Sequence, residues 1–221
     1  IQMNLIKSAY KNKIKHLINL GSSCIYPKNS KQPIKEEYLL EGCLEKTKEW
    51  YAIAKIAGLK LCESLRIQYG FDAISLMPTN LYGPNDRFEE FNSHVIPGLI
   101  YKMHKGKVSN AEQVEIWGSG NPLREFMHVD DLSSAIDFLL QTDSSYELLN
   151  IGSNEVTSIK DLANLIKKIV KFEGELIFNS SFPDGNPKKL LDSSKINKLG
   201  WESNISLEKG LQDTYDWYIK K

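Results

Sequence analysis

A tyrosine and a lysine four residues apart, in Tyr51-Ala-Ile-Ala-Lys55, have the spacing that most directly suggests chemistry. On a helix, side chains at i and i+4 lie one turn apart on one face. A lysine ammonium so placed favours the phenolate and draws the phenol down from its ordinary value of about 10, which makes the pair a proton-delivery device. An amphipathic tyrosine beside a solvated lysine gives the same pattern, so the pair gains weight only from its neighbours. Ser22 and Ser23 follow the strand-like run 14–20, at the carboxyl end of an expected strand, where α/β sheets gather ligands; the plain alternative is a turn cap. Cys24 is either a small buried hydrophobe or a thiol able to move a proton in a cleft. His94 precedes the apolar helix face Val95, Leu99 and Ile100. It is either a helix-start residue or an acid–base group whose ordinary value of about 6.5 suits neutral pH.

Lys102, Arg124 and the pair Lys188–Lys189 could bind phosphate, and Trp117, beside a Gly-Ser-Gly turn, could stack on a base or fill a core. His16, His104 and His128 lack metal-ligand spacing and read as structural, and no Cys-x-x-Cys or His/Cys cluster suggests a metal. Asp192 with Lys195 and Lys198 reads as a solvated helix start. The G-x-G of Gly118-Ser-Gly120 lacks a third glycine and does not open a first βα turn, so it is no dinucleotide fingerprint.

These groups need a scaffold, and 221 residues with 41% hydrophobic content can supply one large domain or a domain with a lobe. Twenty-eight basic residues balance 28 acidic ones, so no bulk charge attracts nucleic acid or an anionic membrane. Three widely spaced cysteines argue against a disulfide framework and fit a reducing cytoplasm. No apolar run is long enough to span a membrane, and the first residues do not read as a signal peptide. The chain opens on Ile1 in mid-stripe, with Ile1, Leu5, Ile6 and Tyr10 on one helical face and no cap before them, so it reads as entered partway through a helix.

Periodicity predicts helices over 1–12, 47–69, 93–106, 130–141, 158–171 and 206–219. Thr47 is the expected N-cap of the second and Gly70 its stop. Strands are expected over 14–20, 71–77, 114–117, 147–151 and 175–178, and 80–84 is expected as a turn. Strand, long helix and strand in succession imply a parallel crossover, hence an α/β fold.

Several segments together resemble the GDP-L-fucose synthases, a family of extended short-chain dehydrogenase/reductases. They are Leu20-Gly-Ser-Ser-Cys-Ile-Tyr-Pro27, Glu49-Trp-Tyr-Ala-Ile-Ala-Lys-Ile-Ala-Gly58, Met77-Pro-Thr-Asn-Leu-Tyr-Gly-Pro84, Ser93-His-Val-Ile-Pro97, Trp117-Gly-Ser-Gly120, Arg124-Glu-Phe-Met-His-Val-Asp-Asp131, and Pro183-Asp-Gly185 with Lys189-Leu-Leu-Asp192. The resemblance implies the C-terminal portion of a Rossmann-like, doubly wound parallel sheet with a small α/β substrate-binding lobe. Residues 1–84 would be cofactor-binding, and 85–221 mainly lobe, with core segments returning at about 128–155. It implies NADPH-dependent 3,5-epimerisation and 4-reduction of a GDP-4-keto-6-deoxy-mannose, with Ser22, Cys24, Tyr51, Lys55 and His94 catalytic. Cys24 and His94 would be base and acid at C3 and C5, in an order left open. Tyr51, with Ser22, would serve the ketone oxygen, and Lys55 would hold the nicotinamide ribose.

Cofactor contacts of the family carry over to Leu20, Gly21, Ser22, Ser23, Lys55, Pro78, Thr79, Asn80, Leu81 and His94. Substrate contacts carry over to Lys102, Trp117, Arg124 and Asp184, and a homodimer through helix 47–69 is implied. This sequence departs from the family at Lys48 and Arg87, where Asn is usual, and at Lys188, where Arg is usual. The family's Gly-x-x-Gly-x-x-Gly phosphate loop does not occur in it. Two alternatives are another nucleotide-sugar epimerase or dehydratase, and a GDP-sugar-binding or dimerisation fragment without activity.

Overall fold

The architecture comes from a computed structural model describing residues 1–142 and 146–221. Helices are α1 (Gln2–Lys11), α2 (Glu49–Tyr69), α3 (Val95–Val108), α4 (Val129–Leu140), α5 (Ile159–Val170), α6 (Ser194–Leu199) and α7 (Leu207–Tyr218). Strands are β1 (Leu17–Leu20), β2 (Ala73–Pro78), β3 (Asn80–Tyr82), β4 (Gln113–Trp117), β5 (Leu123–Arg124), β6 (Phe126–His128), β7 (Leu148–Ile151), β8 (Thr157–Ser158), β9 (Glu175–Asn179) and β10 (Lys188–Lys189). The chain divides into two compact units, one from residues 1–80, 132–154 and 190–203, the other from 81–131, 155–189 and 204–221.

The first unit is built on a parallel sheet in the order β1-β2-β7, with Leu20 opposite Leu76 and Pro78 opposite Ile151. All six residues of β2 are buried, as expected of a central parallel strand, and its one polar side chain, Ser75, accepts from the Asn19 amide at 3.0 Å. Helix α2 packs on this sheet because Ala52, Ile56, Leu59 and Cys62 recur at helical spacing and are all buried. It ends where expected, at Gly70, whose φ of 65° suits a residue without a Cβ and whose N–H returns to the Arg66 carbonyl at 2.9 Å. Its start differs from expectation. Thr47 lies inside a 3-10 turn, Lys46–Lys48, so Lys48 takes the N-cap position and no side chain caps the helix. Pro78 closes β2 without breaking it, and the next N–H, of Thr79, still donates to Ile151 at 2.9 Å.

A buried polar hub fixes the long loop after Cys24. The Tyr26 hydroxyl donates to Asn150 Oδ1 at 2.7 Å, the Asn150 N–H donates to Glu36 Oε1 at 2.9 Å, and the Asn150 amide donates to the carbonyls of Ile34 and Asp192. Burial, with Glu36 nearby, pushes the Tyr26 phenol well above its usual range. Glu36, 5% exposed, meets Lys195 of α6 at 3.1 Å. This corrects the reading of 192–198 as a solvated helix start. A buried carboxylate needs a counter-charge, and Ile196 beside it is fully buried.

The second unit has its core among α3, α5, α7 and the parallel pair β4–β9, with Ile96, Ile100, Met103, Leu162, Ile166 and Leu211 almost wholly buried. The stripe Leu162, Ala163, Ile166 and Val170 explains α5, and Ser158 caps it by accepting the Asp161 N–H at 2.9 Å. The turn expected over 80–84 is instead strand β3, paired with β6, and the positive φ comes only at Gly83, at 154°. The partner strand lies more than 40 residues on, beyond the reach of local turn preferences.

Candidate functional site

In the first unit the site begins at the end of β1. The Gly21 N–H donates to the Leu76 carbonyl at 2.7 Å. A Cβ on Gly21 would lie 2.6 Å from Met77 Sδ and 3.1 Å from the Leu76 oxygen, so only glycine lets the chain run this close to β2. Ser22 is extended and caps a 3-10 turn, Ser23–Ile25, its Oγ accepting from the Cys24 N–H at 3.1 Å. The oxygen is thus oriented by the backbone while its O–H proton stays able to donate. The turn is anchored by Ile25 and Tyr26, which are buried with Ala52 and Ile56 of α2, and Cys24 itself is half-buried.

One turn further along α2, Lys55 Nζ donates to the Leu20 carbonyl at 2.8 Å and lies 5.9 Å from the Tyr51 ring centroid. Tyr51 is 47% exposed. Lys55 is therefore tied to the end of β1, and a phenol one turn away faces outward with its proton accessible. Leu20, Tyr51 and Lys55 line a pocket of about 420 Å³ with Ile18 and Asn19 of β1 and residues of α1. Leu20, Gly21, Ser22, Ser23, Cys24, Tyr51 and Lys55 are thus brought to one strand end and the first turns of one helix. Pro78 and Thr79 are buried at the end of the neighbouring β2, and Asn80 follows them, half-buried.

In the second unit a pocket of about 430 Å³ is lined by His94, Lys102, Trp117, Arg124 and Asp184 together. His94 is the N-cap residue of α3, exposed, with its ring making no cap bond. Lys102 Nζ stands 4.6 Å over the Trp117 ring and donates to the Glu115 carbonyl at 3.3 Å. Trp117 is 48% exposed, which removes the alternative of a core tryptophan. Leu81 also belongs to this unit, on β3.

Asp184 is held by the turn after β4. Its Oδ1 accepts the Ser119 N–H at 2.9 Å and its Oδ2 accepts the Ser119 hydroxyl at 2.6 Å. The Ser119 hydroxyl, the Ser119 N–H and the nearby Arg124 charge hold the carboxyl below its usual range. Gly118, at φ 89°, could carry no Cβ, which would lie 2.6 Å from Asp184 Oδ1. The Gly-Ser-Gly segment is therefore a carboxylate clamp. A clamped carboxylate, two cations and an exposed indole can together receive the hydrogen-bonding, anionic and flat parts of a nucleoside diphosphate.

Sequence reasoning passed over three neighbours. Ser119 clamps Asp184, Phe182 stacks on Trp117 at 4.6 Å and 15°, and Lys48 Nζ approaches Cys24 Sγ at 3.8 Å. The first two join segments some 65 residues apart and carry no local signal. The third had one, the lysine where Asn is usual. Among the described residues no group of three His, Cys, Asp or Glu could hold a metal. Among the described residues no helix is long and apolar enough to cross a membrane.

Known proteins resemble this chain along its whole length. The family model described as "NAD dependent epimerase/dehydratase family" matches residues 1–152. The chain is 57% identical over 220 residues to GDP-L-fucose synthase 1 of Arabidopsis thaliana, covering 100% of this chain and 68% of that protein. It is 48% identical over 229 residues to GDP-L-fucose synthase of Escherichia coli strain K12, covering 100% of this chain and 71% of that protein. Among solved structures, a GDP-L-fucose synthetase from Naegleria fowleri bound to NADP superposes with a TM-score of 0.90 at 29% identity, covering 99% of this chain and 70% of that one.

Proposed function

The chain belongs to the GDP-L-fucose synthases of the NAD dependent epimerase/dehydratase family, and from that premise we propose that its residues serve NADPH-dependent 3,5-epimerisation and 4-reduction of GDP-4-keto-6-deoxy-D-mannose. The observation that carries the reading is the Lys55 ammonium tied to the Leu20 carbonyl at 2.8 Å, one helical turn from an exposed Tyr51 phenol, at a strand end where Gly21 leaves no side chain in the way. The same observation fits the nicotinamide-ribose half of NADPH, for which Lys55 offers N–H donors and Leu20–Ser23 and Pro78–Leu81 a strand-end cradle. When bound, NADPH supplies the hydride for C4.

The chain's own residues handle protons and position the sugar. Removing a proton α to a ketone sends the electron pair to the ketone oxygen, and the Tyr51 and Ser22 hydroxyls are the donors for that oxygen. Cys24 and His94 supply the base and the acid at C3 and C5, a thiol and an imidazole both being groups that carry protons in general acid–base catalysis. At C4 Tyr51 donates the proton that completes the alcohol. In the second unit Lys102 and Arg124 hold the diphosphate, Trp117 faces the nucleotide, and clamped Asp184 accepts hydrogen bonds from hydroxyl or base N–H groups.

Dimerisation is part of the same reading. Trp50, Ile53, Ala54 and Ala57 form a second, exposed apolar stripe along α2, suited to pairing with a second copy. The three cysteines, in no disulfide, support a cytoplasmic setting.

The test uses GDP-4-keto-6-deoxymannose in D₂O, following deuterium at C3 and C5 by NMR and NADPH by its 340 nm absorbance. Tyr51→Phe should lower NADPH oxidation by at least about a hundredfold. Cys24→Ser and His94→Gln should lower deuterium exchange by about 10² to 10⁴. Full epimerisation by Cys24→Ser would move the chain to another nucleotide-sugar epimerase or dehydratase.

A further inference from the structure

We propose that Lys48 is a positioning residue for Cys24, holding its sulfur in place and favouring the S⁻ half of the thiol–thiolate cycle asked of Cys24. The proposal rests on the acid–base role given to Cys24 above. Lys48 Nζ lies 3.8 Å from Cys24 Sγ, within reach of an N–H···S contact. Both ends of the contact stand on fixed backbone. The Cys24 N–H is held by Ser22 Oγ at 3.1 Å, and the Lys48 N–H donates to the Glu45 carbonyl at 2.9 Å where the 3-10 turn passes into α2.

The competing charges nearby are engaged elsewhere. Glu45 meets Lys28 at 3.4 Å, and Lys55 is occupied at the Leu20 carbonyl. Among the described residues Lys48 has no carboxylate within ion-pair distance. On α2, which packs against the cysteine turn, the other ionisable groups of the first two turns are Glu49, Tyr51 and Lys55. Of these Glu49 opposes the effect. An Asn at position 48 could donate a hydrogen bond to sulfur but brings no charge. Lysine replaces a dipole with a full cation at the sulfur, and a cation at this distance favours the thiolate.

Whichever proton transfer Cys24 serves, its sulfur must alternate between S–H and S⁻ once per epimerisation. The proton comes from or goes to the substrate carbon, and the electron pair leaves to or returns from the ketone oxygen. Lys48 keeps its own proton throughout and lowers the cost of the S⁻ half of the cycle.

The test compares wild type with Lys48→Met, Lys48→Asn and Lys48→Arg at pH 7. Iodoacetamide labelling of Cys24 is quantified by peptide mass spectrometry, with Cys43 as the internal reference. Thiolate absorbance at 240 nm is read against Cys24→Ser in each background. Labelling of Cys24 should fall about three- to tenfold in the Met and Asn variants and return to within about twofold of wild type in the Arg variant. Deuterium exchange at C3 and C5 should fall with it at unchanged sugar KM. Equal Cys24 labelling in wild type and Lys48→Met, with Cys43 labelling unchanged, overturns the proposal. Labelling that falls as expected in a protein whose wild type exchanges no deuterium supports the Lys48–Cys24 coupling and overturns the epimerase reading instead.

Discussion

Ser119 directs both its hydroxyl and its backbone N–H at one carboxylate, and this makes Asp184 a fixed acceptor on an otherwise exposed loop. Ser119→Ala removes one of two charge-assisted bonds, and the KM for the GDP-sugar should rise about five- to tenfold with kcat little changed. Steady-state kinetics on the 4-keto sugar reads this directly. A sulfur on the same scale behaves differently. Burial on the inner face of α2 pushes the Cys62 thiol from an ordinary 9.0 up to about 11. Between these values the unfolded chain gives up the proton while the folded chain keeps it, so stability falls as pH rises from about 9 to about 11. Urea unfolding across that window should show the decline, and Cys62→Ala should flatten it. The relation of Tyr51 to Lys55 was legible in the sequence because one helix carries both. The clamp on Asp184 was not, because residues 119 and 184 meet only through tertiary folding. The apolar neighbours of Cys24 gave no sign that an ammonium would reach it, although the unusual Lys48 was visible.

At the scale of elements, helices with a single apolar stripe were read closely. The spacing in 158–171 predicted α5, observed as Ile159–Val170, and Gly70 ended α2 as its chemistry requires. Ser158 both accepts the Asp161 N–H at 2.9 Å and donates to the Asp161 carboxylate at 2.6 Å, a reciprocal cap at the start of α5. Ser158→Ala should cost about 1 kcal/mol, measured by urea denaturation. The short strands β3, β5, β6, β8 and β10 escaped notice because two or three residues carry no period. Their pairings, such as Arg124 with Thr157, are set by distant segments. The N-terminus of α2 was misplaced for a local reason, since a 3-10 turn absorbs Thr47 before the helix begins.

On the scale of the molecule, α2 carries apolar residues on two faces. Ala52, Ile56 and Leu59 are buried within the first unit, while Trp50 and Ile53 are 81% and 48% exposed. A second copy covering the outer stripe would account for both. Ile53→Glu should then shift sedimentation velocity from dimer to monomer at micromolar concentration while leaving far-ultraviolet circular dichroism unchanged.

Each unit is assembled from three separated stretches of chain. Leu191 lies in the same buried cluster as Ile25 and Met77, and Leu211 shares a core with Ile96. During synthesis, then, neither core can close when its first stretch leaves the ribosome. The edge of β2 must wait for β7, some 70 residues later, and the second core for α7, about 100 residues after α3. Closure of such non-local contacts therefore waits on elongation, which at about 5–20 residues per second takes several seconds for some 70 residues. Both cores thus stay open while those later segments are being made, and slowing elongation would prolong that interval, not shorten it.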